Sequence, residues 1–189
     1  MAFGEKGEDW LVECLEKGGL ECAKVDEKHF DIVLKQSNLK IEVKSDRNAL
    51  ATGNILFEIW SCWRLRSLGW AQSSTCDILC YLLYGDDGNV GEILFYDFLS
   101  LKANILWTAM AGSWYNKPTE GKFVSSRNNK GVRNLILPKK YCEKFEVQFE
   151  KGKGFVPKAI STSEKMGDGN CQCECGLEVD SLTKSDSLN

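Results

Sequence analysis

The sequence lacks the features by which membrane-spanning and secreted proteins are usually recognised. None of its apolar runs approaches the roughly 20 residues that a membrane-spanning helix needs, and residues 1–8 lack the basic-then-apolar order of a signal segment. The nine cysteines are therefore interpreted as reduced thiols, several of them among apolar neighbours like core residues. We expect an intracellular protein with no membrane partner and no disulfide framework.

Positive charge is also in short supply overall, although it is unevenly distributed. The 24 lysines and arginines are outnumbered by 27 acids, giving a net charge of −3, which argues against binding a polyanion by overall charge. Residues 117–158 nevertheless contain eleven basic residues and four glutamates, a surplus of seven. From residue 159 onward there are two lysines and six acids. A basic segment thus precedes an acidic end.

The length and composition indicate one ordinary globular domain. The 189 residues are 43% hydrophobic and 27% charged, close to the average of folded proteins. After Pro157 the composition shifts to Ser, Thr, Gly, Asp and Lys, so we predict a domain over residues 1–157 and a flexible, acidic, cysteine-containing tail over 158–189. Cys171, Cys173 and Cys175 alternate and lack zinc-knuckle spacing, which favours an oxidisable tail over a metal site.

Hydrophobic periodicity predicts an alternation of helices and strands. Apolar residues at helical spacing indicate a first helix over 7–17, stopped by two glycines, and a second helix over 97–111 that Gly112 ends. Short apolar runs predict strands of one sheet, at residues 20–25, 30–34, 39–43, 54–60, 78–84, 90–96 and 135–137. Residues 113–134 read as a long surface loop, and a helical or turn segment begins at Pro138.

Charged residues interrupt two apolar strands that a short turn joins into a hairpin. With the loop centred between Gln36 and Ser37, antiparallel partners have numbers that sum to 73, so Asp31 lies directly across from Glu42. Opposed like charges destabilise a hairpin by up to about 1 kcal/mol unless a positive charge lies between them. A hard divalent cation such as Mg²⁺ prefers oxygen ligands, so these carboxylates and the backbone carbonyl of Val43 predict a partial metal site.

The strand that carries Glu42 also carries Lys44. Side chains alternate along a strand, so Glu42 and Lys44 point to the same face and the Lys44 ammonium lies beside the predicted metal. There it can stabilise charge that develops on a phosphate, or position an attacking water whose pKa the metal lowers. The pattern predicts phosphodiester hydrolysis with water as the nucleophile.

With these residues in this order, the sequence resembles the PD-(D/E)XK nuclease superfamily. An acidic first helix is followed by Asp31 on one strand and by Glu42-Val43-Lys44 on the next, which is the order of that motif. The residue before Asp31 is Phe30 and not the proline of the family name, which is often absent among members. The resemblance covers about residues 4–100 and includes 54–84, which is similar to small phage and bacterial endonuclease-like members.

The opening segment GEKGEDWLVECLEKGG, residues 4–19, looks like the first helix of Holliday-junction-resolvase-like members. Their helical glutamate corresponds here to Glu8, with Glu5 the weaker match. The resemblance implies that Glu8 contributes to a second metal or orients water, while Lys44 aligns the nucleophile or stabilises the transition state. It implies an α/β fold of restriction-endonuclease-like type, a three-layer core whose mixed central sheet is flanked by helices.

The expected partner is DNA. The resemblance implies a Mg²⁺- or Mn²⁺-dependent endonuclease, with branched DNA as the first expected substrate and a homodimer if the substrate is a two-fold junction. The basic segment is expected to contact phosphates beside the site, the alternative being a solvated loop, through Arg127, Lys130, Arg133, Lys139 and Lys140.

Structural interpretations stay open for the motif residues. Asp31, Glu42 and Lys44 can instead form a solvated strand face with a cross-strand salt bridge. Glu8 can be an acid favoured by the dipole of the first helical turn. The rival function is a catalytically inactive protein on the same scaffold that binds nucleic acid or serves assembly.

Two further residues are weaker candidates. Glu58 is an additional metal ligand, or a strand-end acid paired with a basic residue such as Arg64. His29 is the single histidine and lies two residues from Asp31, which makes a general-base role conceivable. We interpret His29 instead as a surface residue at the entry of a strand.

Overall fold

The structure, a computed structural model, describes residues 3–27, 29–115, 122–125, 131–150 and 154–158. Arg127, Lys130 and residues 159–189 of the predicted tail lie outside these ranges. None of the helices within them combines the length and the apolar character needed to cross a membrane.

Eleven strands and five helices make up the described part of the chain. The strands are β1 (Cys22–Glu27), β2 (Phe30–Leu34), β3 (Lys40–Asp46), β4 (Asn54–Cys62), β5 (Ser67–Leu68), β6 (Ile78–Tyr84), β7 (Val90–Asp97), β8 (Lys122–Ser125), β9 (Arg133–Pro138), β10 (Glu146–Glu150) and β11 (Gly154–Pro157). The helices are α1 (Phe3–Lys17), α2 (Ala49–Thr52), α3 (Trp70–Ser73), α4 (Phe98–Tyr115) and α5 (Lys139–Cys142), with a 3₁₀ turn at Glu143–Phe145.

The strands form two sheets. The larger sheet has seven strands in the order β1-β2-β3-β6-β7-β10-β11, and the smaller has four in the order β5-β4-β9-β8. Neighbouring strands are antiparallel except for β3 and β6, which are parallel. Parallel neighbours need a long crossover connection, and here the chain between β3 and β6 supplies it with α2, β4, β5 and α3.

Each face of the large sheet buries a separate core. Leu11 and Leu15 of α1 pack on one face against side chains such as Ile41, Val43 and Leu82. The other face packs against the small sheet and α4, in a cluster that includes Phe57, Leu79, Tyr81, Leu101 and Leu135. The protein is therefore a mixed α/β structure, in which helices flank a large mixed sheet, as the sequence predicted.

Three expectations about the predicted elements are wrong. The strand predicted at 54–60 belongs to the small sheet, because alternate residues Ile55, Phe57 and Ile59 enter the core while the strand pairs with β9. The predicted loop 113–134 contains β8, where Phe123 pairs with Leu135 and packs on the core. The helix predicted to end at Gly112 is α4, which continues to Tyr115, so Gly112 does not terminate it.

Candidate active site

The β2–β3 hairpin has the register that its sequence predicts. Ile32 pairs with Ile41 and Val33 with Lys40, so partner numbers sum to 73 in both pairs. The Leu34 N–H donates to the Leu39 carbonyl at 2.9 Å, so Leu34 and Leu39 form a hydrogen-bonded pair. The two pair types alternate along an antiparallel ladder, so Ile32 and Ile41 are also hydrogen-bonded, whereas Asp31 and Glu42 are not. Side chains approach most closely at such a non-hydrogen-bonded pair.

Asp31 is held by the backbone of the opposing strand. Its Oδ2 accepts a hydrogen bond from the Val43 N–H at 2.7 Å. In an unbroken ladder that N–H would bond to the carbonyl of Phe30, so the carboxylate replaces a backbone acceptor. A strand residue directs its N–H and C=O toward the same neighbour, so the Val43 carbonyl also faces β2.

The pKa of Asp31 lies above the ordinary carboxyl value. Burial is the largest cause, the hydrogen bond from Val43 opposes it, and the charge of Glu42 raises the pKa further. The weaker effects of Lys44 and Lys24 lower it. A carboxylate that is desolvated beside a second carboxylate is a group whose charged form gains from an added cation.

Glu42 is almost fully buried, with 5% of its surface exposed. Its Oε1 pairs with the Lys44 ammonium, and its Oε2 lies 3.2 Å from the Ser74 hydroxyl. Ser74 carries one hydroxyl proton, which can go to Glu42 or to the His29 carbonyl at 2.8 Å. Lys44 thus pairs with one oxygen of this buried carboxylate and Ser74 can supply a proton to the other, which are partners of the kind that a charge in the interior requires.

Lys44 lies between the buried carboxylate and solvent. Its ammonium is 5.2 Å from the centre of the Trp70 ring on α3, a cation–π distance. The side chain keeps 28% of its surface exposed, so the ammonium remains accessible from outside. The ring and Glu42 together hold the positive charge at the open side of the two carboxylates.

Glu8 lies on α1, which packs on the sheet face of Ile41 and Val43, whereas Glu42 and Lys44 point to the other face. Its Oε2 lies 3.1 Å from the Lys24 ammonium, which also bonds Asp9 at 2.7 Å. These two acids raise the pKa of Lys24, the hydrogen bond that Lys24 donates to Asp9 being the larger cause. The charge of Lys24 in turn lowers the pKa of Asp31, so Lys24 connects Glu8 electrostatically to the carboxylate pair.

Glu58 does not lie with Asp31 and Glu42. Its neighbours Phe57 and Ile59 point into the core, so by alternation the Glu58 side chain points away from the core, on the other face of the small sheet. It pairs there with Asn134 of β9. In the described part of the chain, Arg64 forms no ion pair with it.

The described members of the predicted basic group are spread along one strand. Arg133 begins β9 and its guanidinium stacks 4.2 Å from the Trp63 ring centre. Lys139 follows the other end of β9 and pairs with Glu92, and Lys140 is exposed beside it. The six-residue strand separates its two ends by about 17 Å, so these residues do not form one cluster.

Ser74 and Trp70 are site residues that we did not predict. They precede β6, which runs parallel to β3 with Leu79 opposite Glu42. The segment entering β6 therefore lies beside the beginning of β3. The only sequence signal was a polar run, residues 73–75, directly before a fully apolar strand.

His29 is more enclosed than a surface residue at a strand entry. The residue is half-buried, and its Nδ1 is buried without a hydrogen-bond partner among the described residues. Its carbonyl accepts hydrogen bonds from the Ser74 hydroxyl and, at 3.1 Å, from the Thr75 N–H. These bonds anchor the segment before β6 to the start of β2.

The donors at the hairpin fit a hard divalent cation in their chemistry. The described residues contain no group of three or more His, Cys, Asp or Glu arranged around a common point. Two carboxylates and the Val43 carbonyl are the available oxygens, and Mg²⁺ commonly uses one or two carboxylates and keeps several waters. The raised pKa of Asp31 agrees with such a cation, since an added positive charge stabilises the ionised form.

Comparisons with known proteins leave the family open. No protein-family model matches the chain, and a search of curated proteins finds no match.

Proposed function

We propose that this protein is a Mg²⁺- or Mn²⁺-dependent DNA endonuclease of the PD-(D/E)XK type, with a restriction-endonuclease-like core. The observation that supports it best is the position of Asp31 across from the buried Glu42, with the Lys44 ammonium against Glu42. Opposed carboxylates cost stability on a hairpin, and a hydrolytic metal site is a use that explains them.

Asp31, Glu42 and the carbonyl of Val43 would hold the cation. When bound, it supplies positive charge that lowers the pKa of water and stabilises negative charge on a phosphate. Asp31 retains its Oδ1 for this purpose, because its Oδ2 accepts the Val43 N–H. Ser74 orients Glu42 by a hydrogen bond to Oε2.

Lys44 would act on the substrate. Its ammonium can donate to a phosphate oxygen or to the attacking water, because the side chain stays partly exposed. The Trp70 ring and Glu42 restrict where the ammonium lies. Glu8 would orient water or assist a second cation, a role for which its ion pair with Lys24 would have to open.

The substrate and assembly are part of the same proposal. Branched DNA remains the first expected substrate, and a homodimer would present two active sites to a two-fold junction. Phosphate contacts would come from the basic residues, of which Arg133 lies at the end of β9 where the strand pairs with Trp60.

A cleavage assay with matched variants tests the proposal. Four-way junction, nicked duplex, linear duplex and single-stranded DNA would be incubated with Mg²⁺, Mn²⁺ or EDTA. We expect cation-dependent cleavage that falls at least about a hundredfold in Asp31→Ala and Lys44→Ala, since each removes a group that stabilises developing charge. Lys17→Ala is the matched control, because Lys17 is an exposed lysine whose ion pair among the described residues is with Glu13.

Two results would count against the enzyme. One is the absence of cation-dependent cleavage on every substrate, and the other is undiminished cleavage in both site variants. Unequal rates on the four substrates would identify the preferred DNA structure. A mass measurement in solution would establish whether the chain is a dimer.

A second candidate function is supported by the ion pairs. Lys44 already pairs with Glu42, and Lys24 already pairs with Glu8 while it also binds Asp9, so both predicted acids have a cationic partner without a metal ion. This arrangement favours a nucleic-acid-binding or assembly protein that uses the scaffold without catalysis. DNA binding in EDTA, combined with no cleavage and no stabilisation by Mg²⁺ or Mn²⁺, would support it over the nuclease.

A further inference from the structure

The turn between β4 and β5 exposes large apolar side chains. Residues 61–68, which we call the tryptophan turn, have the sequence SCWRLRSL. Trp63 is 43% exposed, Leu65 78% and Leu68 51%. A cluster of exposed apolar groups at one projecting turn is more typical of an interaction site than of a bare surface.

The tryptophan turn is held in shape by hydrogen bonds. The Ser61 hydroxyl lies 3.3 Å from the Ser67 carbonyl and 3.1 Å from that of Leu68, closing the turn. The Trp63 N–H donates to Gly131 at 2.6 Å, which ties the turn to the chain before β9. Arg66 has a φ of 53°, a left-handed conformation that a non-glycine residue adopts at a cost. The exposed side chains are therefore presented by an ordered backbone.

An aromatic and cationic stack supports the centre of the turn. The rings of Trp60 and Trp63 meet edge to face, with centres 5.3 Å apart. The Arg133 guanidinium stacks on Trp63 at 4.2 Å from the ring centre. Both contacts hold the indole in one orientation while 43% of the residue stays exposed. A held aromatic ring of this kind offers a π-face or edge to a flat ligand.

The charge around the turn favours an anionic ligand. From residue 59 to residue 76 the sequence contains no Asp or Glu, while it contains Arg64 and Arg66, both exposed. Arg133 adds a third exposed positive charge from the neighbouring strand β9. Arginines beside aromatic rings are what proteins use to bind nucleic-acid strands whose bases are unpaired.

The turn is followed directly in the chain by the residue whose ring contacts Lys44. Leu68 pairs with Trp60 in the small sheet, and the Gly69 N–H donates to the Ile59 carbonyl. The next residue, Trp70, carries the ring over which the Lys44 ammonium lies. Gly69 alone separates the turn from Trp70 in the chain, so the backbone that presents the turn also positions the ring against Lys44.

We propose that the tryptophan turn binds unpaired nucleotides of a DNA strand. Bases stack on Trp63 and Leu65, and phosphates pair with Arg64, Arg66 and Arg133. The direction of the strand toward Lys44 rests on the proposed nuclease function, whereas the binding itself does not require cleavage. The turn would accordingly favour branched or single-stranded DNA over an intact duplex.

Fluorescence anisotropy in EDTA tests this binding in the absence of cleavage. The probes are a labelled oligothymidine of about 20 nucleotides, long enough to cover a compact binding site, and a duplex of equal length. We expect the double variant Trp63→Ala, Leu65→Ala to bind the single strand at least about tenfold more weakly, a change within the range of one or two lost stacking contacts. Its loss on the duplex is expected to be smaller.

Two further variants distinguish the contribution of stacking on Trp63 from that of positive charge and from that of any exposed tryptophan. Arg133→Lys keeps the charge but loses the planar group that stacks on Trp63, so we expect it to lose part of the single-strand affinity. Trp107→Ala is the matched control, because Trp107 is an exposed tryptophan on α4, at 71% exposure. Thermal unfolding of each variant would verify that the fold is retained.

Several outcomes would overturn the proposal. Unchanged single-strand affinity in the double variant would do so, as would an equal loss in Trp107→Ala. A change in molecular mass without a change in DNA affinity would identify the turn as a protein contact. If the turn variants lose single-strand binding while the wild type never cleaves DNA, the nuclease proposal fails and the binding proposal stands. If the wild type cleaves DNA and the turn variants bind single strands normally, the nuclease proposal stands and the binding proposal fails.

Discussion

Replacing Asp31 with asparagine separates the cost of the carboxylate pair from its use. Asparagine can still accept the Val43 N–H, so the change removes the charge and keeps the hydrogen bond. Relief of the repulsion across from Glu42 is worth up to about 1 kcal/mol in the free energy of unfolding. For a chain of this size that corresponds to a rise of up to about 2–4 °C in melting temperature.

The pH dependence of this difference has a definite sign. Burial raises the pKa of Asp31 above 3.8, so between 3.8 and the raised value the folded chain binds the proton more tightly than the unfolded chain. The contribution of Asp31 to the free energy of unfolding therefore falls as pH rises through this window. The advantage of Asp31→Asn should be fully present above the raised pKa and should disappear below 3.8.

The divalent cation should reverse the order of the two proteins. A ligand at a hundredfold excess over its Kd adds about 2.7 kcal/mol to the free energy of unfolding, and the wild type has the carboxylate that Asp31→Asn lacks. Thermal unfolding near neutral pH, in EDTA and in Mg²⁺ or Mn²⁺, measures both effects. A melting temperature of the variant below that of the wild type in EDTA would contradict the repulsion between Asp31 and Glu42. Equal stabilisation of both proteins by the cation would contradict a cation site at Asp31.

Two other substitutions test the support of the site. Gly69→Ala should lower the free energy of unfolding by about 2 kcal/mol or more in chemical denaturation, because the added Cβ would lie 2.2 Å from the Glu58 carbonyl oxygen. Gly4→Ala, whose added Cβ would meet no described atom within 4 Å outside its own helix, should leave it within about 0.5 kcal/mol, and a similar loss in both would contradict the packing argument. Ser74→Ala should reduce cleavage while leaving DNA affinity in EDTA unchanged, because it removes the hydroxyl that orients Glu42. An unaltered rate would show that Ser74 has no such role.

The elements that matter for the hairpin could be predicted because their signals are local. Strands β2 and β6 begin and end where the apolar runs do, at Phe30–Leu34 and Ile78–Tyr84. The position of the turn determines the register, and the register determines that Asp31 and Glu42 share a face. Each of these inferences needs only residues that are close in sequence.

The partition of strands between two sheets could not be predicted in this way. An apolar strand such as β4 carries the same alternating pattern whichever sheet it joins. Its assignment depends on pairing with β9, about 80 residues later in the chain, and on the cluster that Phe57 enters. The same non-local pairing places β8 inside a stretch whose composition resembles a loop.

Alternation and turn length act over neighbouring residues, so the hairpin, its register and the carboxylates and lysine on it follow from the local sequence. The residues that surround the hairpin depend on contacts between distant segments. The parallel pairing of β3 with β6 brings Ser74 and Trp70 to the hairpin, since a crossover returns a distant segment to the beginning of a strand. Likewise β9 separates Arg133 from Lys139, because a strand extends the chain and sends neighbours in sequence to opposite ends of a sheet.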